Sequence, residues 1–540
     1  MRVLFRIVFI TLFLTVFVHV YCQDESRQAF KYVQFLKYLN NYYVDSIDNE
    51  KLVEDAIKRD LSELDPHSTY ISSEDVKKMN EPLKGNFEGV GIQFNILNDT
   101  LFVITPVPGG PSEKVGIQSG DRIIKVDGEN IAGIGLTNED VYSLLRGAKG
   151  TKVSVSVMRR SVSELLNFTI TRDKIPINSL DAAYIVQDGV GYIKLNRFAM
   201  TTLDEFSEAS IELLKGGARD LVLDLTGNAG GYLDMAVVLA DQFLGDEKLI
   251  VYTEGLNSPK REYFASSKGY FENGRVIILI DEGSASASEI VTGAIQDWDR
   301  GIIIGRRSFG KGLVQRQLEL PDGSMIRLTS AKYYTPSGRL IQKSYEDGIE
   351  KYDSEIYDRY ENGEFINRDS IKFPDSLQFK TLLNNRIVFG GGGIMPDIFI
   401  PLDTALYSDY YGSLIREGIL NQFVLEYVDQ HREGIINNLK KQQDYKSNLT
   451  DFQNYKANFE ITDKLLKDLI NFADKEGLSL NKEQFELSKS RISLILKAYI
   501  ARDLWTTNEF YQIVNQENDN LLKAVEVLNN WEKYSKKLLY

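Results

Sequence analysis

The sequence predicts an α/β protein: a core on a largely parallel sheet, preceded by a small β-rich domain and flanked by helical regions at both ends. Three observations carry this. Between 172 and 340 short apolar runs alternate with segments of helical period, the order of strand–helix–strand units. From about 84 to 170 the texture changes to short strands and Gly turns. Before 80 and after about 405 the period is helical throughout. At 540 residues the chain is long enough for about three domains.

The N-terminus comes first. Arg2 and Arg6 precede and enter an almost wholly apolar run, Ile7 to Val18, and polar QDESRQ follows Cys22. This is the pattern of a secretory signal peptide over 1–22. An uncleaved membrane anchor is the alternative, weakened by a run short for a span of about 20 residues. Cleavage removes Cys22, the only cysteine, so the exported chain is expected to have no disulfide and no thiol chemistry. The expected location is the periplasm or the periplasmic face of the inner membrane, with membrane contact only if the segment is retained. A net charge of −14 with no offsetting basic block argues against nucleic acid or anionic lipid as main partner.

Residues 23–82 read as a helical region, with apolar spacing at Val33, Leu36 and Leu39, then Leu52, Val53, Ala56 and Ile57; LDPHSTY (64–70) stops it. In 83–170, GVGIQF (89–94) and LFVITPV (101–107) read as strands and PSEKVGI (111–117) as a short helix. GDRIIKVDG (120–128) is turn–strand–turn, NEDVYSLLRG (138–147) helical, and TKVSVSVMRR (151–160) alternates with period 2. That order, GDRIIKVDG above all, resembles a PDZ domain. Such a domain adds an extended C-terminal peptide as a strand and holds its carboxylate on backbone N–H groups. Gly89, Val90, Gly91 and Ile92 are the candidate loop; a small β domain serving only as packing is the alternative.

The core follows over 171–404: GYIKLNRF, DLVLDL, KLIVYTE, RVIILID and GIIIG as strands, with helices between. A polar, Tyr-rich excursion at about 343–385 reads as a surface insertion, and GGGGIMPDIFIP (390–401) returns to sheet character. The region 405–540 is helical, lysine-rich and without motif; covering the sheet, a dimer contact and adaptor binding are all open to it.

The stretch GRRSFGKG (305–312) has three readings. A P-loop needs a helix and a hydroxyl after the lysine, but Gly312 and the period-2 run LVQRQLEL follow. Ser308-x-x-Lys311 has the spacing of a Ser-Lys pair, yet the SDN and KTG elements that accompany it in penicillin-binding enzymes do not occur. The third reading pairs Lys311 with a serine elsewhere. RVIILI (275–280) runs into SASASEIVTGAIQDW, so a helix starts near Ser286. A serine at such a junction exposes its Oγ beside a free backbone N–H; equally, Ser286-x-x-Glu289 is a capping box. LVLDLTGNAGG (221–231) is a second strand-to-helix turn, whose glycines could offer another N–H. Of three histidines His19 leaves with the signal, so neither a histidine triad nor a three-His metal site is well supplied. A buried lysine can serve as base instead, because desolvation disfavours the ammonium. Gln315 lies on the same strand face as Lys311 and could hold its amine; a plain surface lysine is the alternative.

Together LDPHSTY, GDRIIKVDG, LVLDLTGNAGG, GSASASEIVTGAIQD, GRRSFGKGLVQ, YYTPSGRLIQ and GGGIMPDI resemble, in order, the carboxy-terminal processing peptidases, tail-specific serine proteases with a Ser-Lys dyad. The resemblance covers roughly residues 30–400 and implies a ClpP/crotonase-like protease core. It implies Ser286 as nucleophile, Lys311 as general base and Gln315 as the residue positioning it. The N–H groups of Ala287 and of Gly230 or Gly231 would form the oxyanion hole. Of the serines in SASAS, only the resemblance selects Ser286. It further implies acyl transfer without metal or cofactor, on protein or peptide substrates with accessible C-termini that the PDZ segment captures; a homo-oligomer through the helical termini is one of the arrangements open to the chain. The sequence departs from the family where Thr226-Gly227-Asn228-Ala229 stands for a basic residue and Asn-Pro. A catalytically silent PDZ scaffold on a protease fold is the alternative function, and the presence of both dyad members speaks against it.

Overall fold

The computed structural model describes residues 27–160, 162–245, 247–266, 269–442 and 450–537; the expected signal peptide at 1–22, with Cys22, lies outside them. Helix α1 covers 27–42, α2 Asn49–Ser62 and, after the short strand β1 (Thr69–Ile71), α3 Ser73–Lys84. Asp48 and Ser72 cap α2 and α3 by accepting the N–H of Lys51 and Asp75. LDPHSTY therefore does more than end a helix: it feeds a strand.

The β-rich domain runs β2 (Asn86–Gly89), β3 (Ile92–Ile96), β4 (Leu101–Pro106), α4 (Pro111–Val115), β5 (Arg122–Val126), β6 (Glu129–Asn130), α5 (Asn138–Leu145), β7 (Lys152–Met158), β8 (Leu166–Thr171) and β9 (Asp173–Pro176). β2 and β9 pair antiparallel as its neck. Its sheet has the order β3-β4-β5-β7-β8, with β6 on β5. Val153, Val155 and Val157 of β7 point inward onto Leu101, Val103 and Ile123, as period 2 requires.

The core continues with β10 (Leu180–Gln187), β11 (Val190–Leu195), α6 (Thr202–Lys215), β12 (Asp220–Asp224), α7 (Leu233–Asp241), β13 (Leu249–Gly255) and β14 (Ser258–Phe264). Next come β15 (Val276–Ile280), α8 (Ala287–Asp297), β16 (Ile302–Gly305), β17 (Leu313–Glu319) and β18 (Met325–Tyr334). α9 (Ile349–Glu361), β19 (Gln378–Lys380), β20 (Ile387–Phe389) and β21 (Ile398–Phe399) complete it. The main sheet is β10-β11-β12-β15-β16-β21, parallel except for edge strand β10. KLIVYTE is not part of it. A turn after Gly255 folds β13 back on β14, and both join β18, β1 and β17 in a separate antiparallel sheet. The insertion also differs from a surface excursion: Tyr352 and Arg359 of α9 are buried, and Arg359 donates to the carbonyls of Arg307 and Ser308.

Eight C-terminal helices follow among the described residues: α10 (Asp409–Arg416), α11 (Ile419–Gln442), α12 (Asp451–Asn458), α13 (Asp463–Lys475), α14 (Lys482–Leu504), α15 (Thr507–Val514), α16 (Asp519–Asn529) and α17 (Trp531–Lys537). A parallel sheet must be covered on both faces. Leu221, Leu223, Ile278 and Ile303 face α6, α7 and α8. The alternate residues Val222, Ile277, Leu279 and Ile304 pack on Leu521, Ala524, Val527 and Leu528 of α16. The motif-free tail thus supplies the second layer of the core.

Candidate active site

β15 is wholly apolar and fully buried, and at its C-terminal end the chain turns tightly into α8. Asp281 Oδ1 fixes the turn by accepting the N–H of Gly227 at 2.7 Å and of Gly283 at 3.0 Å. Three serines leave this turn with different fates. Ser284 and Ser288 are fully buried and donate to Leu225 O and Asn228 O, both at 2.8 Å. Ser286, between them, lines an open cleft of about 520 Å³. Its φ of 56° is a left-handed conformation that a non-glycine residue adopts only where its surroundings impose it. Glu289 N–H donates to the Ser286 carbonyl oxygen at 2.9 Å and the Glu289 carboxylate accepts the Ser286 N–H, so the expected capping box forms at this helix start.

Lys311 lines the same cleft, as do Gly230, Gly231 and Gln315. The bond between the two chain segments is Glu289, which the sequence shows only as the third residue of a capping box. It is fully buried in α8 and takes four donors. Oε1 accepts Ser308 Oγ (2.5 Å) and Gly310 N–H (2.7 Å). Oε2 accepts Ser286 N–H (2.8 Å) and Lys311 N–H (2.9 Å). The Tyr333 hydroxyl braces the same pair from the other side, 2.5 Å from Lys311 O and 3.1 Å from Ser286 O. Ser308 is fully buried, held by Glu289 and by Ile394 N–H at 2.6 Å, and does not line the cleft; the SxxK reading fails on this packing. Gly310, at φ 91°, lies so close to Gly393 that a Cβ would stand 2.9 Å from its nitrogen.

Burial pushes the Lys311 ammonium pKa down; the Arg327 cation adds to this, and Glu289 and Asp65 oppose it. Burial pushes the Glu289 carboxyl up to about 7, against the pull of its donors. LDPHSTY contributes more than sequence reasoning found. Asp65 accepts the N–H of His67 and Ser68 and the hydroxyls of Ser68 and Thr329. His67 Nε2 meets the Tyr352 hydroxyl at 2.8 Å, and burial, with Lys311 second, lowers its pKa to about 4.

The oxyanion candidates separate. Gly230 N–H donates to Asn228 Oδ1 at 2.9 Å, which leaves Gly231 on this loop. Gly231 bridges Phe198 through its neighbours' hydrogen bonds, and among the described residues its own N–H has no hydrogen-bond partner. The same holds for Ala287 N–H at the helix start. Gly230 acts sterically: a Cβ there would lie 2.9 Å from Ala287 N and from Ser286 Cβ. Gln315 donates to Thr329 Oγ1 at 3.3 Å, and among the described residues no hydrogen bond links it to Lys311. The departure at Thr226 is compensated. Lys194 reaches from β11 to Asp224 (3.0 Å) and Thr226 Oγ1 (2.8 Å), placing a cation where the loop lacks one.

In the β-rich domain, Val90, Gly91 and Ile92 line a narrow groove between β3 and α5, with Phe94 and Tyr142 meeting edge to face across it. Gly89 does not line it; it pairs with Asp173 in the neck. Among the described residues no cluster of three or more His, Cys, Asp or Glu could hold a metal, and no helix is long and apolar enough to cross a membrane.

Comparison with known proteins places these features. Residues 189–352 match the model of peptidase family S41, and 102–159 that of the PDZ domain. Residues 410–506 match a family of unknown function, DUF8443. The chain is 38% identical over 329 residues to a carboxy-terminal-processing protease of Bartonella bacilliformis, covering 59% of this chain and 74% of that one. It is 36% identical to the carboxy-terminal processing protease CtpB of Bacillus subtilis, covering 58% of this chain and just under two thirds, 64%, of that relative. A solved photosystem II D1 C-terminal processing protease matches at 27% identity and TM-score 0.35, over 71% of this chain and 89% of that one.

Proposed function

The chain belongs to peptidase family S41, among the carboxy-terminal-processing serine proteases with a PDZ domain, and from that premise we propose that it is an exported endopeptidase that cuts proteins near their C-termini through Ser286 and Lys311. The observation that carries this is the cleft holding Ser286 and Lys311, tied together through Glu289. Neutral Lys311 takes the proton of Ser286 Oγ, which attacks the peptide carbonyl. The resulting oxyanion sits on Ala287 N–H and Gly231 N–H. Lys311 then protonates the leaving amine, the C–N bond breaks, and water hydrolyses the acyl-enzyme with Lys311 again as base. The PDZ groove takes the substrate's C-terminal strand.

Export and cleavage of the signal before Gln23 belong to the same reading, supported by the N-terminal sequence, and N-terminal sequencing of the exported protein is their check. Homo-oligomerisation through the helical termini is part of it as well. The exposed Phe30, Phe35, Tyr38 and Tyr42 of α1 support it, and sedimentation velocity measures it. The catalytic test is cleavage of an unstructured protein by the wild type and by Ser286→Ala. A loss of at least about 10³-fold is expected for the variant; equal rates would remove Ser286 from the chemistry.

A further inference from the structure

The cleft contains a second cation that the dyad does not use. β18 carries Arg327 between Thr69 of β1 and Gln317 of β17, and its half-buried side chain lines the cleft with Ser286 and Lys311. Its one side-chain hydrogen bond among the described residues runs from Nη2 to Met79 Sδ at 2.9 Å, and a thioether is a weak acceptor. Among the described residues no carboxylate forms an ion pair with it. The cleft wall itself holds none: beside the two cations it offers the amides of Gln315 and Gln317 and apolar side chains such as Leu83, Leu233 and Val314. The two carboxylates closest in charge to Lys311, Glu289 and Asp65, each already take four donors.

A partly desolvated guanidinium without a counter-ion is costly, and it keeps most of its five N–H donors for something that arrives later. Arg327 also stands close enough to Lys311 to disfavour its ammonium. We propose that Arg327 is an anion subsite of the cleft: it takes a carboxylate of the bound polypeptide close to the scissile bond, from an Asp or Glu side chain or from the chain's own C-terminus. The planar guanidinium suits a carboxylate in two-point contact. Arg327 holds the carboxylate alike before and during the chemistry at Ser286, so the gain is expected in KM rather than kcat.

This rests on the serine-peptidase reading of the same cleft, and the test separates the two. The full-length enzyme is given twin peptides that differ by Glu against Gln at each position flanking the cut. A further pair ends in a free carboxylate or in an amide. kcat and KM are measured for wild type, Arg327→Gln and Arg327→Lys, each on the plateau of its own pH profile, because removing Arg327 lets the Lys311 pKa rise. Wild type is expected to favour one carboxylate-bearing twin roughly ten- to hundredfold, the range of a hydrogen bond to a charged group. That ratio falls to near one in Arg327→Gln and survives in part in Arg327→Lys. Which twin shows it names the source of the carboxylate, and an end-group preference that persists in Arg327→Gln belongs to the PDZ groove instead. An unchanged ratio in Arg327→Gln, or no preference in wild type, overturns the proposal. If Arg327→Gln loses its fold, Arg327→Lys decides: a ratio reduced from the wild-type value supports the subsite, and an unchanged ratio overturns it. Cleavage that persists in Ser286→Ala would overturn the serine reading, and the twin ratios would still be readable.

Discussion

Lys311 combines two things that reinforce each other, a place in the interior and the absence of a proton, and both are set against the charge a lysine carries in water. An unfolded lysine keeps its proton to about pH 10.4, whereas burial makes the folded one release it at lower pH. In the window between, the unfolded chain binds more protons, so stability rises with pH there. The buried lysine therefore costs stability in full below its folded pKa, and the cost fades as pH rises towards the unfolded value. Lys311→Met keeps the volume and removes the charge. It is expected to be inactive yet more stable than wild type near neutral pH, by about 1 kcal/mol or more, with the difference shrinking towards about pH 10. Thermal unfolding of both proteins across that range is the measurement; a gap independent of pH would mean that Lys311 is not titrating in the folded state. Activity should run the other way, with kcat/KM rising through an apparent pKa below the ordinary lysine range.

At the scale of elements, the sequence made legible whatever has a strong period. β15 into α8, β16 into the lysine loop, and the period-2 run of β17 were all expected, and the last removed the P-loop. Residues that act across elements were not legible. Glu289 looks like a cap, and only the burial of α8 on all sides shows that its carboxylate joins two segments 22 positions apart. β13 reads as one more strand of the parallel sheet because its pairing with β14 and β18 leaves no trace in its own period. Lys194 is silent for the same reason. It lies on β11, where the buried Asp224 would otherwise keep only Tyr192 and Thr226 as donors. The loop that Asp224 anchors carries Asn228 and Gly231. Lys194→Met is thus expected to destabilise by about 3–5 kcal/mol, the cost of breaking a buried pair, and to lower kcat. Adding Thr226→Arg should recover part of both, since it returns a cation to the loop; denaturant titration and kcat of the single and double variants measure this, and a neutral single variant would show the pair to be dispensable.

Over the whole molecule, the C-terminal helices do two jobs. α16 closes the second face of the parallel sheet, and α11 holds the PDZ domain. The second contact is small: Leu425 packs with Leu97 and Phe102, while Asp429 receives Arg122 Nη2 at 2.9 Å and its carbonyl receives Arg160 Nη1 at 2.9 Å. On the far side the PDZ domain is tied by an ion pair from Arg146 to Glu81 of α3, the helix whose Met79 and Asn80 accept from Arg327 and Gln317 at the cleft. With Ile104 packed beside the other three, the contact on α11 amounts to four apolar side chains, one ion pair and one further hydrogen bond, and contacts of this size permit relative motion. Asp429 is 8% exposed and Arg122 25%, so their pair is screened less than a surface one. Asp429→Ala should therefore release the PDZ domain from α11 without unfolding the core. The expected result is an unchanged global melting temperature and roughly tenfold faster amide hydrogen exchange, confined to residues 118–124 and to the turns of α11 around 425–432. Exchange identical to wild type in both segments would mean that the domain is held elsewhere, and Arg146 with Glu81 would then be its principal tie.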